Sequence, residues 1–407
     1  MKQFAKLSLV ASLAITGFSS SALAADTLEE AFSNGKVKGQ LKSYYFAQNS
    51  EGGSFEDSSI WANGGILGYT TDRFKGFTLG TTLQYSSVTT IDDQSSKTAG
   101  SMDASGAVLS EAYLDYAIQN TGLKAGRQFV KTPLLAGSGS RLIKEAFEAY
   151  LVTNTDLPNT TIVAGKVTKY GTRTDKTSYS DSTFVDYEAN GTGKPGDFYK
   201  IGDNGINTIY IKNTSIPNLN VQVQFADVTG TATALYTDAK YSIDAELKPY
   251  IAVQYYDTNY DSSDTADNSL YGLKAGVTIA TVNLFAGYTS AAGEEGDARV
   301  FRGLGQGAYY HFTSTTKTAG NNAFIAGTDA WQVGASKKFG PLSTKLRFSS
   351  FDSPAANSDL EETTINLGYK FSGTLKNLAA SVDFSILDYE NDTKNQTDLR
   401  SRLIYSF

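Results

Sequence analysis

Apolar and polar residues alternate one by one along several stretches of the chain. In residues 219–225 every second position is apolar, and the positions between carry Asn or Gln. Residues 282–288, 342–349 and 363–371 show the same period. A period of two places apolar side chains on one face of a β-strand and polar ones on the other. Each stretch runs about ten residues, which is the length that a tilted strand needs to cross a bilayer.

The alternation extended along the chain predicts an all-β protein with about 18 strands. Bacterial barrels have an even number of antiparallel strands, and 16 stays open because the early boundaries are weak. The predicted strands are 36–48, 60–71, 76–89, 107–119, 122–130, 146–155, 159–169, 206–213, 219–228, 233–244, 248–258, 269–279, 281–290, 328–338, 342–352, 361–371, 378–389 and 398–407.

The connections between these strands alternate in length. Gly, Pro and Asn mark tight turns, and these lie at 73–76, 120–122, 156–159, 216–218, 280–281, 339–341 and 375–377. Long polar insertions lie at 90–106, 131–145, 170–205, 259–268, 291–327 and 390–397. Short turns on one side and long external loops on the other are typical of a transmembrane β-barrel. A soluble sandwich has no reason to sort its connections in this way.

The last nine residues fit the closing strand of such a barrel. Leu399, Leu403, Tyr405 and Phe407 share one parity, whereas Arg400 and Arg402 share the other. Tyr405 and Phe407 are expected to anchor the strand at the membrane interface and to act as an assembly signal. The alternative is an edge strand of a secreted sandwich.

The first residues predict export. Lys2 and Lys6 form a short basic start before an apolar run over 7–18, and Ala22–Ala24 forms a small-x-small cleavage site. We therefore expect a signal peptide over 1–24, cleaved after Ala24, a short segment over 25–35 and a barrel over 36–407. Asp26 or Thr27 is suited to cap a short helix before the barrel, with a frayed terminus as the alternative. No later segment is apolar enough for a membrane helix.

Composition excludes several function classes. The chain has no Cys, so it has no disulfide and no Cys nucleophile, and its one imidazole is His311. A lone His without neighbouring ligands predicts neither an enzyme nor a metal site, and no cofactor is expected. A net charge of −7 argues against a nucleic-acid partner.

A motif after the fifth predicted strand supports a family assignment. Thr132-Pro133 breaks the strand because Pro cannot donate to the ladder, and small residues follow before Arg141. The passage resembles the third loop of the OprD-type outer-membrane porins, which folds into the lumen. The matching residues are Thr132, Pro133, Leu134, Ser140, Arg141 and Leu142, and the segment 27–32 is similar too. Ile143 stands where many relatives have Pro, so the sequence leaves the course of the loop open.

The resemblance implies a passive, substrate-preferring channel of the cell outer membrane. Such porins pass ions, amino acids and small carboxylates along a row of basic side chains. The resemblance places the constriction at Thr132, Pro133, Ser140 and Arg141. Implied partners are small solutes, outer-membrane lipids and the barrel assembly machinery, with a homotrimer and a monomer both open.

Parity assigns candidate residues to the lumen, because a charge facing lipid at the midplane costs roughly 2–4 kcal/mol. The inward basic residues are Arg400, Arg402, Lys345, Arg347, Lys370, Lys274, Lys240, Lys38 and Lys42. Pairing of the first and last strands is expected to set Lys38 and Lys42 near the two arginines. The inward acidic residues, expected to form an opposite wall, are Glu111, Asp115, Asp238, Asp244 and Asp383. The alternative is a generic polar lumen with mixed charges.

Three points stay open at this stage. Arg127 shares the parity of Leu123 and Ala125 and so points toward lipid, unless a bulge, an interfacial position or an early strand end explains it. The segment from Gly303 to His311 is suited to a second constriction, but an external loop is favoured. A plugged barrel that acts as an adhesin or a structural protein is the main alternative to a channel.

Overall fold

The computed structural model describes residues 25–53, 56–92, 102–173, 184–186, 197–311, 313, 315, 322–354 and 359–407. The predicted signal peptide lies outside the described residues. Eighteen long strands follow, with the bounds β1 Lys36–Ser50, β2 Ser58–Thr70, β3 Phe77–Asp92, β4 Gly106–Ile118, β5 Thr121–Gln128, β8 Ala146–Asn154, β9 Thr160–Gly171, β12 Ile206–Asn213, β13 Leu219–Val228, β14 Ala232–Ser242, β15 Tyr250–Tyr260, β16 Asn268–Ile279, β17 Val282–Ala291, β19 Asp329–Phe339, β20 Leu342–Asp352, β21 Leu360–Lys370, β22 Leu378–Tyr389 and β23 Gln396–Ser406.

These strands close into one antiparallel barrel. Each pairs with both neighbours, and β1 pairs with β23 from Gln40 opposite Ser406 to Ser50 opposite Gln396. The predicted count of 18 is therefore confirmed. Shorter strands lie between the long ones and have the bounds β6 Lys131–Thr132, β7 Leu135–Ala136, β10 Val185–Asp186, β11 Phe198–Ile201 and β18 Leu304–Gly305.

The alternating pattern sorts the side chains between lipid and lumen. In β1 the outward side chains include Val37, Leu41 and Tyr45, which are well exposed, whereas Lys42 and Tyr44 point inward and are buried. A slip of one residue would exchange these two sets, so the apolar face fixes the register of each strand. In the described residues, no helix is long and apolar enough to span a membrane.

The connections differ between the two ends of the barrel as predicted. Ala280–Thr281 alone joins β16 to β17, and both residues have the positive φ values of a tight hairpin turn. At the other end, residues 129–145 lie between β5 and β8, and 292–328 lie between β17 and β19. The end with long loops is the external end of an outer-membrane barrel.

A short helix caps the end of the barrel with short turns. Helix α1, Leu28–Ser33, begins at Thr27, which forms a capping box with Glu30. The amide of Asp72 donates to the carbonyl of Ala31 (2.8 Å), which ties the helix to the β2–β3 turn. The predicted helix cap is confirmed.

The ladder of the barrel continues to the last residue. The amide of Gly39 donates to the carbonyl of Phe407 (2.9 Å), and the amide of Phe407 donates back (3.0 Å). The rings of Tyr405 and Phe407 face outward at the end with short turns, where the membrane interface prefers aromatic side chains. Trp61 and Trp331 are exposed on the same outer surface nearer the external end.

Candidate functional site in the barrel lumen

The loop between β5 and β8 crosses the lumen from one wall to the other. Its first half is a hairpin, with Thr132 opposite Leu135 and a turn at Pro133. The amide of Leu134 donates to the side chain of Gln224 on β13 (2.8 Å), and Gln224 donates to the hydroxyl of Thr132 (3.0 Å). The tip of the hairpin is therefore fixed to β13, which is the ninth strand around the ring from β1.

The returning half of this loop is fixed to the opposite side of the barrel. Gln84 on β3 accepts from the amide of Lys144 (2.9 Å) and donates to its carbonyl (2.8 Å). The ammonium of Lys42 on β1 donates to the carbonyl of Leu142 (3.1 Å). The backbone groups of a loop inside a barrel have no neighbouring strand to pair with. These buried side chains supply the hydrogen-bond partners instead.

A second loop folds inward and pairs with the first. Strand β18 runs parallel to β7, with Leu304 opposite Leu135. The hydroxyl of Tyr256 donates to the carbonyl of Ala308 (2.6 Å), which holds the loop against β15. The segment from Gly303 to His311 is therefore not an external loop, and that favoured interpretation was wrong. The general tendency of long loops to lie outside a barrel takes no account of a partner strand 169 positions away along the chain.

Glycine is required where the two loops meet. Gly303 and Gly305 have positive φ values of 96° and 83°. A Cβ atom at either position would collide with the backbone of Leu134 or Ala136. The two loops share one apolar cluster with buried residues of strands from β8 to β22, and the cluster includes Leu134, Leu135, Leu304, Tyr256 and Phe324. Both inward loops are therefore packed against the barrel wall.

Three arginines gather around one aromatic ring on the other side. Phe46 is an inward residue of β1 and is fully buried. The guanidinium carbons of Arg141, Arg400 and Arg402 lie 5.1, 5.2 and 5.0 Å from the centre of its ring. We call these three residues the arginine cluster. Cations within about 6 Å of an aromatic face are attracted by its quadrupole, so Phe46 helps to hold like charges together.

Carboxylates compensate part of this charge. Arg400 donates to Asp398 (2.7 Å), and both side chains are buried. Arg402 donates to Asp383 (2.6 Å), and this pair retains some exposure. Asp383 thus lies on the strand next to Arg402 and not on a facing wall, so its predicted position was wrong. Parity gives the face of a residue but does not give its neighbour across the ladder.

The four predicted constriction residues separate into two groups. Ser140 and Arg141 lie at the arginine cluster, where Arg141 donates to the hydroxyl of Ser140 (3.1 Å). Arg173 also donates to Ser140 (3.1 Å) and lies 3.6 Å from a carboxylate oxygen of Glu145. Thr132 and Pro133 are buried at the far wall instead, beside β13.

The remaining inward cations continue from the arginine cluster around the lumen. Four inward residues lie opposite one another in the register of four adjacent strands, and they are Arg400, Asp383, Asn366 and Lys345. Arg347 donates to the side chain of Asn366 (2.8 Å). Because barrel strands tilt, such a row descends along the axis as it passes from strand to strand.

A second aromatic ring continues this row. The ammonium groups of Lys274 and Lys345 lie 4.9 and 5.1 Å from the ring centre of Phe285. Lys274 and Lys240 flank Ala252 from the two sides of β15. Apart from Lys38 and Lys42 on β1, the predicted inward cations thus lie on strands between β23 and β14.

The register of β1 and β23 differs from the expected one. Phe46 and Tyr44 lie opposite Arg400 and Arg402, whereas Lys42 lies opposite Ile404. Lys38 lies further toward the end with short turns and is exposed, as is Lys370 on β21. Phe46 was missed by sequence reasoning, although its inward parity in a strand with aromatic neighbours was a usable signal.

The acidic residues do not form a continuous wall. Glu111 accepts from the hydroxyl of Thr82 (2.7 Å) and from the amide of Phe129 (3.2 Å). Asp115 lies 3.5 Å from a guanidinium nitrogen of Arg73 and directly opposite Lys124 on β5. Cations therefore share the acidic side of the lumen. Two more acidic residues lie elsewhere, Asp238 beside Tyr310 (2.7 Å) and Asp244 in the turn before β15.

His311 has a structural position at the base of the second loop. Its Nδ1 atom lies 3.1 Å from the hydroxyl of Thr289, and the side chain is buried. Burial lowers the pKa of His311 to about 4, so the imidazole is neutral at physiological pH. Within the described ranges, no group of three or more acidic or His side chains is placed to hold a metal ion.

Comparisons with known proteins agree with this architecture. A model of the outer membrane porin family OprD matches residues 30–407. The crystal structure of Pseudomonas aeruginosa OccK9 (OpdG) is similar with a TM-score of 0.77 and 17% identity, covering 93% of this chain and 99% of that one. Acinetobacter baumannii OccAB4 gives 0.73 and 17%, covering 92% and 98%.

A third structure, Pseudomonas aeruginosa OpdK with vanillate, gives a TM-score of 0.73 at 14% identity and covers 92% of this chain and 99% of that one. A search of curated protein sequences gives no match. The structural similarities establish the fold, and the family model covers nearly all of the described barrel. The chain belongs to the OprD family of outer membrane porins.

Proposed function

We propose that this porin is a passive channel that prefers anions and takes small carboxylates, including amino acids, along the basic wall from β23 to β14. The observation that supports the proposal most directly is the arginine cluster. Arg141 comes from the inward loop and is almost fully buried, whereas Arg402 comes from the barrel wall and retains some exposure, and both guanidinium groups lie beside Phe46. A carboxylate entering between them meets two planar donor groups, each suited to bidentate hydrogen bonding.

Compensation by carboxylates keeps each anion site weak. Two unit charges 4 Å apart attract by about 1 kcal/mol in bulk water and about 4 kcal/mol at an effective dielectric constant of 20. An uncompensated cluster would therefore retain an anion, whereas transport requires its release. Asp398 and Asp383 reduce the net charge beside Arg400 and Arg402. The lysines near Phe285 then offer the next shallow sites along the descending row.

Aromatic rings beside the cations favour solutes with an apolar part. Phe46 and Tyr44 neighbour Arg402, and Phe285 neighbours Lys345. A carboxylate can bind a cation while its carbon skeleton contacts the adjacent ring. The relative crystallised with vanillate carries an aromatic carboxylate. We extend this class of solute to the present chain as part of the proposal.

The proposal is tested with purified protein in planar bilayers. Under a salt gradient the wild type is expected to show discrete conductance steps and a reversal potential on the anion side. Replacement Arg402→Gln removes one cation and leaves Asp383 with its partner Asn366 (2.6 Å), so selectivity shifts toward cations. Lys337→Gln is the control, because Lys337 is an outward residue of β19. Cation preference in the wild type would contradict the proposal.

A plugged barrel with an adhesive or structural role is the second candidate. It is supported by the two inward loops, which pair with each other and pack against the barrel wall. Folded protein that gives no conductance steps would favour this candidate over the channel. Recognition of the closing strand, including Tyr405 and Phe407, by the barrel assembly machinery also belongs to the proposal, and trimer and monomer both remain compatible with it.

A further inference from the structure

Arg127 points away from the lumen, as its parity predicts. It lies opposite Glu148 on β8. Glu148 shares the parity of Tyr150 and Val152, which are among the exposed apolar residues of the outer surface, whereas Phe147 and Ala149 are fully buried on the inner side. The guanidinium of Arg127 therefore lies on the face that meets lipid, and neither a bulge nor an early strand end turns it inward.

Three lysines surround Arg127 on the same outer face. Lys169 on β9 lies opposite Glu148 and forms an ion pair with it (3.5 Å). Lys200 on β11 lies opposite Lys169. Lys166 lies opposite Tyr150 and Asn207. We call Arg127, Lys166, Lys169 and Lys200 the lateral basic patch.

The rest of the outer surface has a different charge. Outward charged residues near the external ends of the other described strands are acidic, and they are Asp257, Asp329, Asp352, Glu361 and Asp388. In the described strands the other outward cation is Lys337, which lies at the end with short turns. Arg127, Lys169 and Lys200 lie near the external ends of their strands, and Lys166 lies in the middle of β9 on the same side of the barrel.

The depth of the patch narrows the choice of partner. A Lys or Arg facing lipid costs roughly 2–4 kcal/mol at the midplane but about 0–1 kcal/mol near an interface. Arg127 is the residue before the end of β5, and Lys169 lies two residues before the end of β9, both at the external end. Phe198 and Tyr150 add aromatic side chains of the kind that favour the headgroup region. The partner is therefore expected among the headgroups of the outer leaflet.

We propose that the lateral basic patch binds the phosphate groups of a phosphorylated glycolipid of the outer leaflet. The guanidinium carbon of Arg127 lies 4.2 Å from the ring centre of Phe198, and one guanidinium N–H donates to the carbonyl of Leu109 (3.3 Å). These two contacts orient the planar guanidinium group. Glu148 holds Lys169 beside it. The four cations outnumber the three carboxylate residues that the strand register places on this face, which are Glu148, Asp227 and, opposite Lys200, Asp186. Arg and Lys side chains are suited to charge-assisted hydrogen bonds with a phosphate group.

The test uses the full barrel in detergent and titrates it with bis-phosphorylated lipid A, with the same lipid after removal of its phosphates, and with inorganic phosphate. Bound lipid is counted by native mass spectrometry. The triple replacement Lys166→Gln, Lys169→Gln and Lys200→Gln should weaken lipid A binding on the order of a hundredfold, since three lysines near a charged surface together contribute about 3 kcal/mol. Lys337→Gln should bind like the wild type.

The outcomes separate the possible sources of the phosphate. Loss of affinity in the triple variant, together with weak binding of the dephosphorylated lipid, supports the proposal. Equal binding of both lipids would overturn it in favour of acyl-chain contacts alone. Inorganic phosphate that competes as strongly as lipid A would overturn the lipid assignment. Heat-modified gel migration checks that the variant is folded, and unchanged single-channel conductance separates this test from that of the channel.

Discussion

The arginine cluster and the lateral basic patch contain the same kinds of side chain in opposite surroundings. Both place guanidinium groups against a ring, Phe46 inside the barrel and Phe198 outside it. Inside, Arg400 and Arg402 each have a carboxylate at hydrogen-bonding distance. Outside, Lys166 and Lys200 form no ion pair with a described carboxylate.

Charge compensation therefore distinguishes a site that releases its ligand from a site that retains it. A site that passes solutes has to bind weakly, and its arginines therefore carry carboxylate partners within the wall. A site for a lipid that stays beside the barrel has no such requirement and keeps an excess of cations. Strand parity decides which of the two environments a cation enters, so one residue step separates the two functions.

The largest expected effect comes from breaking the inner pair. Replacement Asp398→Asn removes the carboxylate that pairs with the buried charge of Arg400 and should lower the free energy of unfolding by about 3–5 kcal/mol. The matched replacement outside, Glu148→Gln, removes a partly exposed partner and should cost below about 1 kcal/mol. Urea unfolding of both variants in micelles measures the two losses of unfolding free energy. Equal losses would contradict the larger contribution expected from the buried inner pair.

Closure of the barrel by β1 and β23 also affects the arginine cluster, because β23 carries Arg400 and Arg402 and β1 carries Phe46. Replacement Phe407→Ser should reduce the amount of folded barrel in the membrane by several-fold, since the closing strand loses its interfacial anchor. Phe339 has almost the same exposure, 54% against 55%, at the same end of the barrel. Normal assembly of the Phe339→Ser variant is expected, and equal defects in both would refute a special role of the terminus.

A smaller effect is expected where the second loop meets the first. Replacement Gly305→Ala forces a side chain against the backbone of Ala136 at a positive φ, which adds about 1–3 kcal/mol of strain. The loop should detach and raise single-channel conductance. Gly296→Ala is the control, because Gly296 has a similar φ of 93° but open space around it. An unchanged conductance in the Gly305→Ala variant would show that this loop does not narrow the pore.

Most of the fold follows from the sequence, because alternation and turn residues are local. The same local period gave the correct face for Arg402, Lys345 and Arg127. It did not give the stagger between β1 and β23, which depends on how the whole sheet closes, so Phe46 was not expected opposite Arg400. The inward course of 303–311 depends on the pairing of Leu304 with Leu135, and no local pattern encodes a contact at that separation.

The reversal potential under a salt gradient, measured on three proteins, decides whether the inner cations set the ion selectivity of the pore. We expect anion preference for the wild type, a shift toward cations for Arg402→Gln, and no change for the triple lysine variant of the lateral basic patch. A shift in the lysine variant with none in Arg402→Gln would show instead that the outer cations set the selectivity.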